Sequence, residues 1–226
     1  MNTNNKRVKF AILATDAVVF TIIERQLHVL LIKVKSPSFS GMWAFPGGLV
    51  DPKELAKNAI LRYLTNIPNS SLAGAYFEQL ATFDNPKRDP AGRVISVAFM
   101  VLIPPKVPRL FSNKAFVEAK WIPASKMPFL AYDHNKMLKA AIDRIKSKLE
   151  YTNIIYSLMP KEFTLTNLQK TYEEILERKL DKRNFRKKIF FLDLVQRLGK
   201  KEKGEPHRPA VFYKFKNNKY KVMELI

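Results

Sequence analysis

Cysteine is absent from the 226 residues, which excludes disulfides and thiolate metal sites and fits a reducing compartment. Histidine is nearly absent: His28, His134 and His207 share no ligand-like spacing, so no metal site is expected. Acidic residues are scarce, 20 Asp+Glu against 40 Lys+Arg. The resulting net charge of +20 and pI near 10.0 point to a polyanionic partner, nucleic acid or an acidic membrane surface. No apolar run reaches the roughly 18 residues of a membrane span. The opening stretch MNTNNKRVKF is polar rather than signal-like. A soluble protein is expected, cytoplasmic and nucleoid-associated, with no membrane partner. The hydrophobic fraction, 46%, suffices for cores, and the length suits two domains.

Residues 41–70, GMWAFPGGLVDPKELAKNAILRYLTNIPNS, read as a strand end, a glycine turn, a helix and a stop. Phe45-Pro46-Gly47-Gly48 allows a sharp turn and a close approach to a ligand. Asp51 before Pro52 predicts a helix start, a capping carboxylate followed by a ring whose missing N–H is not needed there. Pro68-Asn69 predicts its end. Taken alone, a Gly-Gly turn and an amphipathic helix occur in many folds, and Glu54 with Arg62 reads equally as a surface pair.

The spacing Gly48, Glu54, Arg62, Leu64 resembles the signature of the Nudix family. In that signature three glutamates follow the Arg on one helical face, where they hold a divalent metal against a pyrophosphate. Here those positions are Tyr63, Asn66 and Ile67, none of them a carboxylate. The loop–helix frame is kept and its metal site is not, so no catalytic residue, resident metal or required cofactor is expected.

In chain order, residues 9–20 predict a buried strand, residues 24–26 a polar turn and residues 27–34 the returning strand. Short strands follow at 42–45 and 121–122, and longer ones at 74–83 and 94–103. Residues 133–149 predict a helix with Leu138, Ile142, Ile145 and Leu149 as its apolar stripe. Between the longer strands, Arg88, Asp89 and Arg93 lie in one loop, where two guanidiniums suit phosphate or carboxylate recognition unless they are merely solvated. The string EQLATFDNPKRDPAGRVISVAF looks like the corresponding strand–loop–strand of Nudix proteins that act on or bind ADP-ribose-type molecules. ATDAVVF and Tyr132-Asp133-His134 extend the likeness. Trp43 reads as a core anchor or a ligand-stacking ring beside the glycine loop.

The character changes near residue 150. Thr166 to Gln169 read as a capping box opening a helix with Leu168, Tyr172, Ile175 and Leu176 inward. Asp181 predicts the cap of a second helix running to Gly199, with Phe185, Ile189 and Leu192 buried. Lys182, Arg183, Arg186 and Lys187 point elsewhere, with Asn184 among them. Residues 178–203 carry eleven Lys/Arg against three Asp/Glu. A charge run is usually a solvated face, but this one coincides with a helix-turn-helix pattern that has a use for it. Phe190 and Phe191 read as core or interface. Residues 208–225 predict a hairpin turning at Asn217-Asn218, completing a winged helix.

Nearly end to end, the chain resembles Nudix-related transcriptional regulators, and FTLTNLQKTYEEILERKLDKRNFRKKI and RPAVFY are the specific strings. His207 replaces the Gly that commonly precedes the Arg-Pro of the wing. The resemblance implies an α+β fold: a Nudix-type α/β/α sandwich at 1–152 that senses a ligand, then a winged helix-turn-helix domain at 153–226. It implies a homodimer on double-stranded, palindromic operator DNA, released by a small-molecule effector, ADP-ribose or a sugar such as arabinose. The implied ligand-binding residues are Gly47, Gly48, Glu54, Arg62, Arg88, Asp89 and Arg93. The implied DNA-binding residues are Thr164, Thr166, Lys182, Arg183, Asn184, Arg186, Lys187 and Arg208. A weak Nudix pyrophosphohydrolase with a basic tail, its metal recruited by Glu54 and Glu78, is the alternative. A nucleic-acid-associated protein whose Nudix part is only a scaffold is a third reading.

Overall fold

The computed structural model describes residues 10–65, 72, 74–105, 118–201 and 210–223. Asn66, Ile67, Pro68, Asn69, His207 and Arg208 lie outside the described residues.

The first half is a seven-stranded mixed sheet between helices. Its elements are β1 (Ile12–Ile23), β2 (Gln26–Lys33), β3 (Trp43–Ala44), β4 (Gly47–Leu49), α1 (Ala56–Thr65), β5 (Tyr76–Phe83), β6 (Val94–Leu102), β7 (Ala119–Pro123) and α2 (His134–Tyr151). The strand order is β3-β2-β1-β6-β5, with β4 on β1 and β7 on β2. β1 and β6 run parallel at the centre, from Ile12↔Val94 to Phe20↔Leu102. Central strands covered on both faces must be apolar on both, and successive side chains alternate between the two cores. Val18, Phe20, Ala98, Met100 and Leu102 pack with Met137, Ala141 and Ile145 of α2. Ala17, Val19, Phe99 and Val101 pack with Ile60 and Leu64 of α1.

Two expectations fail around the glycine pair. Gly47 and Gly48 lie in β4, paired with Asp16 and Thr15, rather than in a free turn. Asp51 does not cap a helix: it opens a turn closed by Glu54 N–H on Asp51 O at 3.0 Å, and α1 starts at Ala56. The first helix-type bonds run from Asn58 and Ala59 N–H to Leu55 O. Strand pairing holds the backbone extended through Leu49, so the chain must turn before it can coil.

The second half holds β8 (Phe163–Thr164), α3 (Leu165–Leu176), α4 (Lys182–Phe191), β9 (Val195–Lys201) and β10 (Val211–Phe215), with sheet order β8-β10-β9. Leu168, Tyr172, Ile175, Phe185 and Ile189 fill its core, Tyr172 meeting Phe185 edge-on at 5.5 Å. α4 stops at Phe191, not Gly199. Asp193 adopts φ 53°, its N–H bonds Phe190 O, and Leu194 N–H bonds Ile189 O, a left-handed helix stop supplied by Asp instead of Gly. Gly199 therefore lies in β9. The hairpin is β9–β10, and Asn217-Asn218 open a tail instead. That tail returns to the end of α2, where Asn153 Nδ2 donates to Lys219 O at 2.9 Å and Lys221 N–H donates to Asn153 Oδ1 at 2.7 Å. Val222 bridges to Thr152.

The two halves share one apolar cluster, continuous from Val18 and Met137 to Tyr172 and Val195. Polar ties cross with it, among them Lys146 to Glu177 at 2.6 Å and Leu27 N–H to Glu174 Oε1 at 3.4 Å. The expected boundary at 152/153 falls between α2 and a short 3-10 turn, Ile154–Leu158.

Candidate ligand pocket and nucleic-acid surface

A cavity of about 130 Å³ opens where β1, β4, the β5–β6 loop and the start of α2 meet, lined by Asp16, Phe45, Gly47, Arg88, Tyr132 and His134 among others. β1 carries a single carboxylate, Asp16, into its wall. A Cβ at Gly47 would run into Thr15 O and the Asp16 carboxylate, and one at Gly48 would meet the Tyr63 hydroxyl at 2.5 Å. The Gly pair is thus required by close packing on two sides. Tyr132 adopts φ 55°, a conformation rare outside glycine, and its ring lies 4.4 Å from Phe39 and 5.2 Å from His134.

Asp16 is buried, and Ser96 Oγ donates to its Oδ2 at 2.6 Å. Arg88 stands 3.5 Å from the same oxygen, and His134 Nε2 stands 3.6 Å from Oδ1. His134 Nδ1 accepts the Phe45 N–H at 3.0 Å, which places the ring proton on Nε2, facing Asp16. Burial opposes ionisation of Asp16, but His134, Ser96 and Arg88 outweigh it and hold the carboxyl below its ordinary value.

Arg88 differs most from the sequence reading. Its side chain is 3% exposed and bonds Asp133 Oδ1 at 3.1 Å through Nε, so it is an internal ion pair rather than a solvated loop cation. Its charge is shared between Asp133, at 3.0 Å, and Asp16. Gly47, Gly48 and Asp89 also line the cavity. Arg93 does not line it: its guanidinium donates to Asp84 O and closes the loop. Glu54 and Arg62 are not in its lining either. They form a bidentate pair, Nε to Oε1 at 3.0 Å and Nη2 to Oε2 at 2.6 Å, and Arg62 holds Glu54 below the usual carboxylate range. Asp16, Asp133 and His134 belong to the site but are not among the ligand-binding residues expected from the sequence. The available signals were a lone carboxylate within an apolar strand and the Tyr132-Asp133-His134 string.

Tyr63, the first of the three expected metal positions, donates its hydroxyl to Leu49 O at 3.0 Å and covers Gly48. The carboxylates that could replace a metal site do not converge. Glu54 lies beside α1, whereas Glu78 lies on the α2 face, where Arg144, Lys148 and the Tyr76 hydroxyl contact it. Among the described residues, no three His, Asp or Glu side chains gather as a metal-holding group.

The second surface is α4. Asp181 caps it by accepting Asn184 N–H at 2.8 Å, and Phe185 and Ile189 face inward. Lys182, Arg183, Asn184 and Lys187 are exposed, while Arg186 is half-buried with its Nε unpartnered among the described residues. Thr164, not Thr166, caps α3: its Oγ1 accepts Asn167 N–H at 3.1 Å and the residue is 4% exposed. β8 holds Thr164 against β10, which sets the helix start two residues before the expected one. Thr166 is exposed. Phe190 and Phe191, read as core or interface, are 50% and 81% exposed because the inward stripe of α4 passes through Phe185 and Ile189 and leaves them outside it.

The NUDIX domain family matches residues 13–142, and the NrtR DNA-binding winged helix domain matches residues 155–215. The chain is 32% identical over 214 residues to the ADPR responsive transcriptional repressor NtrR of Acinetobacter baylyi, covering 90% of this chain and 82% of the relative. It is 33% identical over 118 residues to the ADP-ribose pyrophosphatase of Methanocaldococcus jannaschii, covering 52% of this chain and 68% of that enzyme. Its fold matches Shewanella oneidensis NrtR complexed with a 27mer DNA at a TM-score of 0.76 and 30% identity, over 90% of this chain and 93% of the other. The chain belongs to the NUDIX family, in the group that joins a NUDIX domain to an NrtR-type DNA-binding winged helix.

Proposed function

We propose that this chain is a transcriptional repressor that grips operator DNA through its winged helix and is released by ADP-ribose held in a NUDIX domain that does not hydrolyse it. One observation carries the reading. A NUDIX sheet whose α1 packs Tyr63 across Gly48, where a metal-binding carboxylate is expected, shares a continuous core with a winged helix exposing Lys182, Arg183, Asn184 and Lys187. Likeness to an ADPR responsive repressor supports the effector, and likeness to NrtR bound to DNA supports the operator. The sensor is assigned to 1–152 and the DNA-binding unit to 153–226, acting as a cytoplasmic homodimer. Arg208 and Thr166 remain candidate DNA contacts, and Arg93, Glu54 and Arg62 remain candidate contacts outside the cavity.

The cavity is smaller than the roughly 300 Å³ at which drug-sized sites begin, so it takes one part of the effector. The Arg88 guanidinium in its lining is already balanced by Asp133 and Asp16, which makes it an organiser of the pocket rather than a free phosphate clamp. Likeness to a pyrophosphatase favours a shared ligand, not a shared reaction, because Glu54 and Glu78 lie on opposite faces of the sheet and are each held by cations.

The test is to select duplexes from a random pool with the full-length protein and titrate ADP-ribose into the complex. Release by ADP-ribose at concentrations where AMP and ribose do nothing is the expected result. Selection of no preferred duplex would overturn the repressor reading.

A further inference from the structure

A single exposed apolar side chain needs no explanation, but the position of Phe191 does. Within α4 the buried stripe is Phe185 and Ile189. On the opposite face Lys187 is central, with Arg183 and Phe191 four residues to either side and Asn184 and Phe190 three residues away. Phe190 leans on the wing, its ring 6.0 Å from Tyr213 of β10. Phe191 is 81% exposed and has no ring partner among the described residues. The exposed face of a basic helix therefore ends in an uncovered aromatic ring.

Charge decides what can cover it. A second copy meeting this face about a two-fold axis would press one cationic face on another, with Lys187 near the axis against its own counterpart. Duplex DNA complements those cations, and its major groove offers one strongly apolar feature, the thymine C5-methyl group, which Phe is suited to touch. Resting on the DNA-binding reading above, we propose that Phe191 is a base-reading residue whose ring packs on a thymine methyl at one position of each half-site. Lys187 and Arg183 beside it hold phosphates or base edges. α4 is ten residues long and rises about 15 Å, enough to reach beyond the bases met by its first turn.

The experiment uses the full-length protein and its selected duplex. Affinity is measured over a salt series for wild type, Phe191→Ala and Lys187→Ala, and each thymine is replaced in turn by deoxyuridine, which lacks only the methyl. For wild type, one replacement per half-site should weaken binding about fourfold, the scale of one buried methyl group. Phe191→Ala should bind more weakly with an unchanged salt slope, and should lose its sensitivity to that replacement. Lys187→Ala should lower the slope by about one unit if it holds a phosphate. If Lys187→Ala acts while wild type is indifferent to every methyl, or Phe191→Ala keeps its sensitivity, the Phe191 assignment fails and the DNA-binding reading stands. If neither variant changes affinity for the selected duplex, the exposed face of α4 is not the DNA-contacting face and the Phe191 assignment fails; failure to select any duplex is what would sink the DNA-binding reading. A Phe191→Ala protein with normal DNA affinity but altered oligomeric mass would make this face a protein interface and overturn the proposal.

Discussion

The Arg88 guanidinium reaches the Asp133 carboxylate at 3.0 Å, joining the β5–β6 loop to the first residue before α2. Both side chains are almost fully buried, and Asp16 completes the group from β1. Removing the one cation would leave two carboxylates in the interior. Arg88→Ala should therefore lower unfolding stability by about 3–5 kcal/mol, the scale for breaking a buried pair from one side. Chemical denaturation measures it. A loss under 1 kcal/mol, about the ceiling for an exposed pair, would mean that the group is hydrated and the pocket loosely built.

Acid should act through the same group. The Asp16 carboxyl is held below its ordinary 3.8 in the folded protein, against the burial that would raise it, by His134, Ser96 and Arg88. Below that ordinary value the unfolded chain takes up the proton first. The stabilisation is thus complete above pH 3.8 and is lost as pH falls through the lowered folded value. Asp16→Asn should unfold at lower denaturant than wild type near neutrality, and the gap should close in acid. A gap that stays constant from pH 6 to pH 3 would count against this account.

Much of the sheet was legible because a short apolar run is a property of the chain itself: the runs at 9–20, 27–34 and 94–103 became β1, β2 and β6. Of the polar turn expected at 24–26, Glu24 and Arg25 take positive φ, as a tight hairpin requires, and Gln26 already opens β2. What failed depended on distant partners. Asp51 has the chemistry of a cap, but β4 pairing with β1 postpones the helix. Gly199 has the chemistry of a stop, but Asp193 stops the helix earlier and leaves Gly199 to the wing. The pocket was half legible for the same reason. Gly47, Gly48 and Asp89 line it, yet the role of Arg88 is set by Asp133, 45 residues away.

The tail makes a separate prediction. Asn153 is buried and spends its side-chain amide on Lys219 O and Lys221 N–H, and Lys148 meets the Tyr220 hydroxyl at 3.2 Å beside Glu78. Asn153→Ala removes both bonds and should destabilise the fold by about 1–3 kcal/mol. It should also make the segment after Phe215 the first to be cut by a protease. Equal proteolysis of variant and wild type would show that the apolar contacts of Met223 with the main cluster hold the tail unaided.

Catalysis can be tested directly. With Tyr63 across Gly48 and both Glu54 oxygens bonded to Arg62, Mg²⁺ or Mn²⁺ should not produce hydrolysis of ADP-ribose. Metal-dependent turnover that disappears in Glu54→Gln would restore the pyrophosphohydrolase reading.

The last prediction joins the pocket to the operator. For the proposed dimer, ADP-ribose can release DNA only if it binds better to a conformation in which the two winged helices no longer fit their half-sites. Contacts connect the two sites: β1 carries Asp16 into the cavity, and at the β1–β2 hairpin Leu27 N–H donates to Glu174 Oε1 of α3 at 3.4 Å. The neighbouring Glu173 accepts Leu180 N–H at 3.0 Å and so fixes the turn that aims α4. Linkage requires the coupling to be mutual, so saturating operator DNA should weaken ADP-ribose binding by the factor with which ADP-ribose weakens DNA binding. Both affinities belong in one buffer at one salt concentration, because the DNA term alone changes steeply with salt. Glu173→Gln keeps the shape of the turn and weakens its clamp, so it should reduce the coupling factor while leaving ADP-ribose affinity in the absence of DNA near that of wild type. If operator DNA leaves ADP-ribose affinity unchanged in the wild-type protein, the two domains are joined without being coupled, and the sensor reading is wrong.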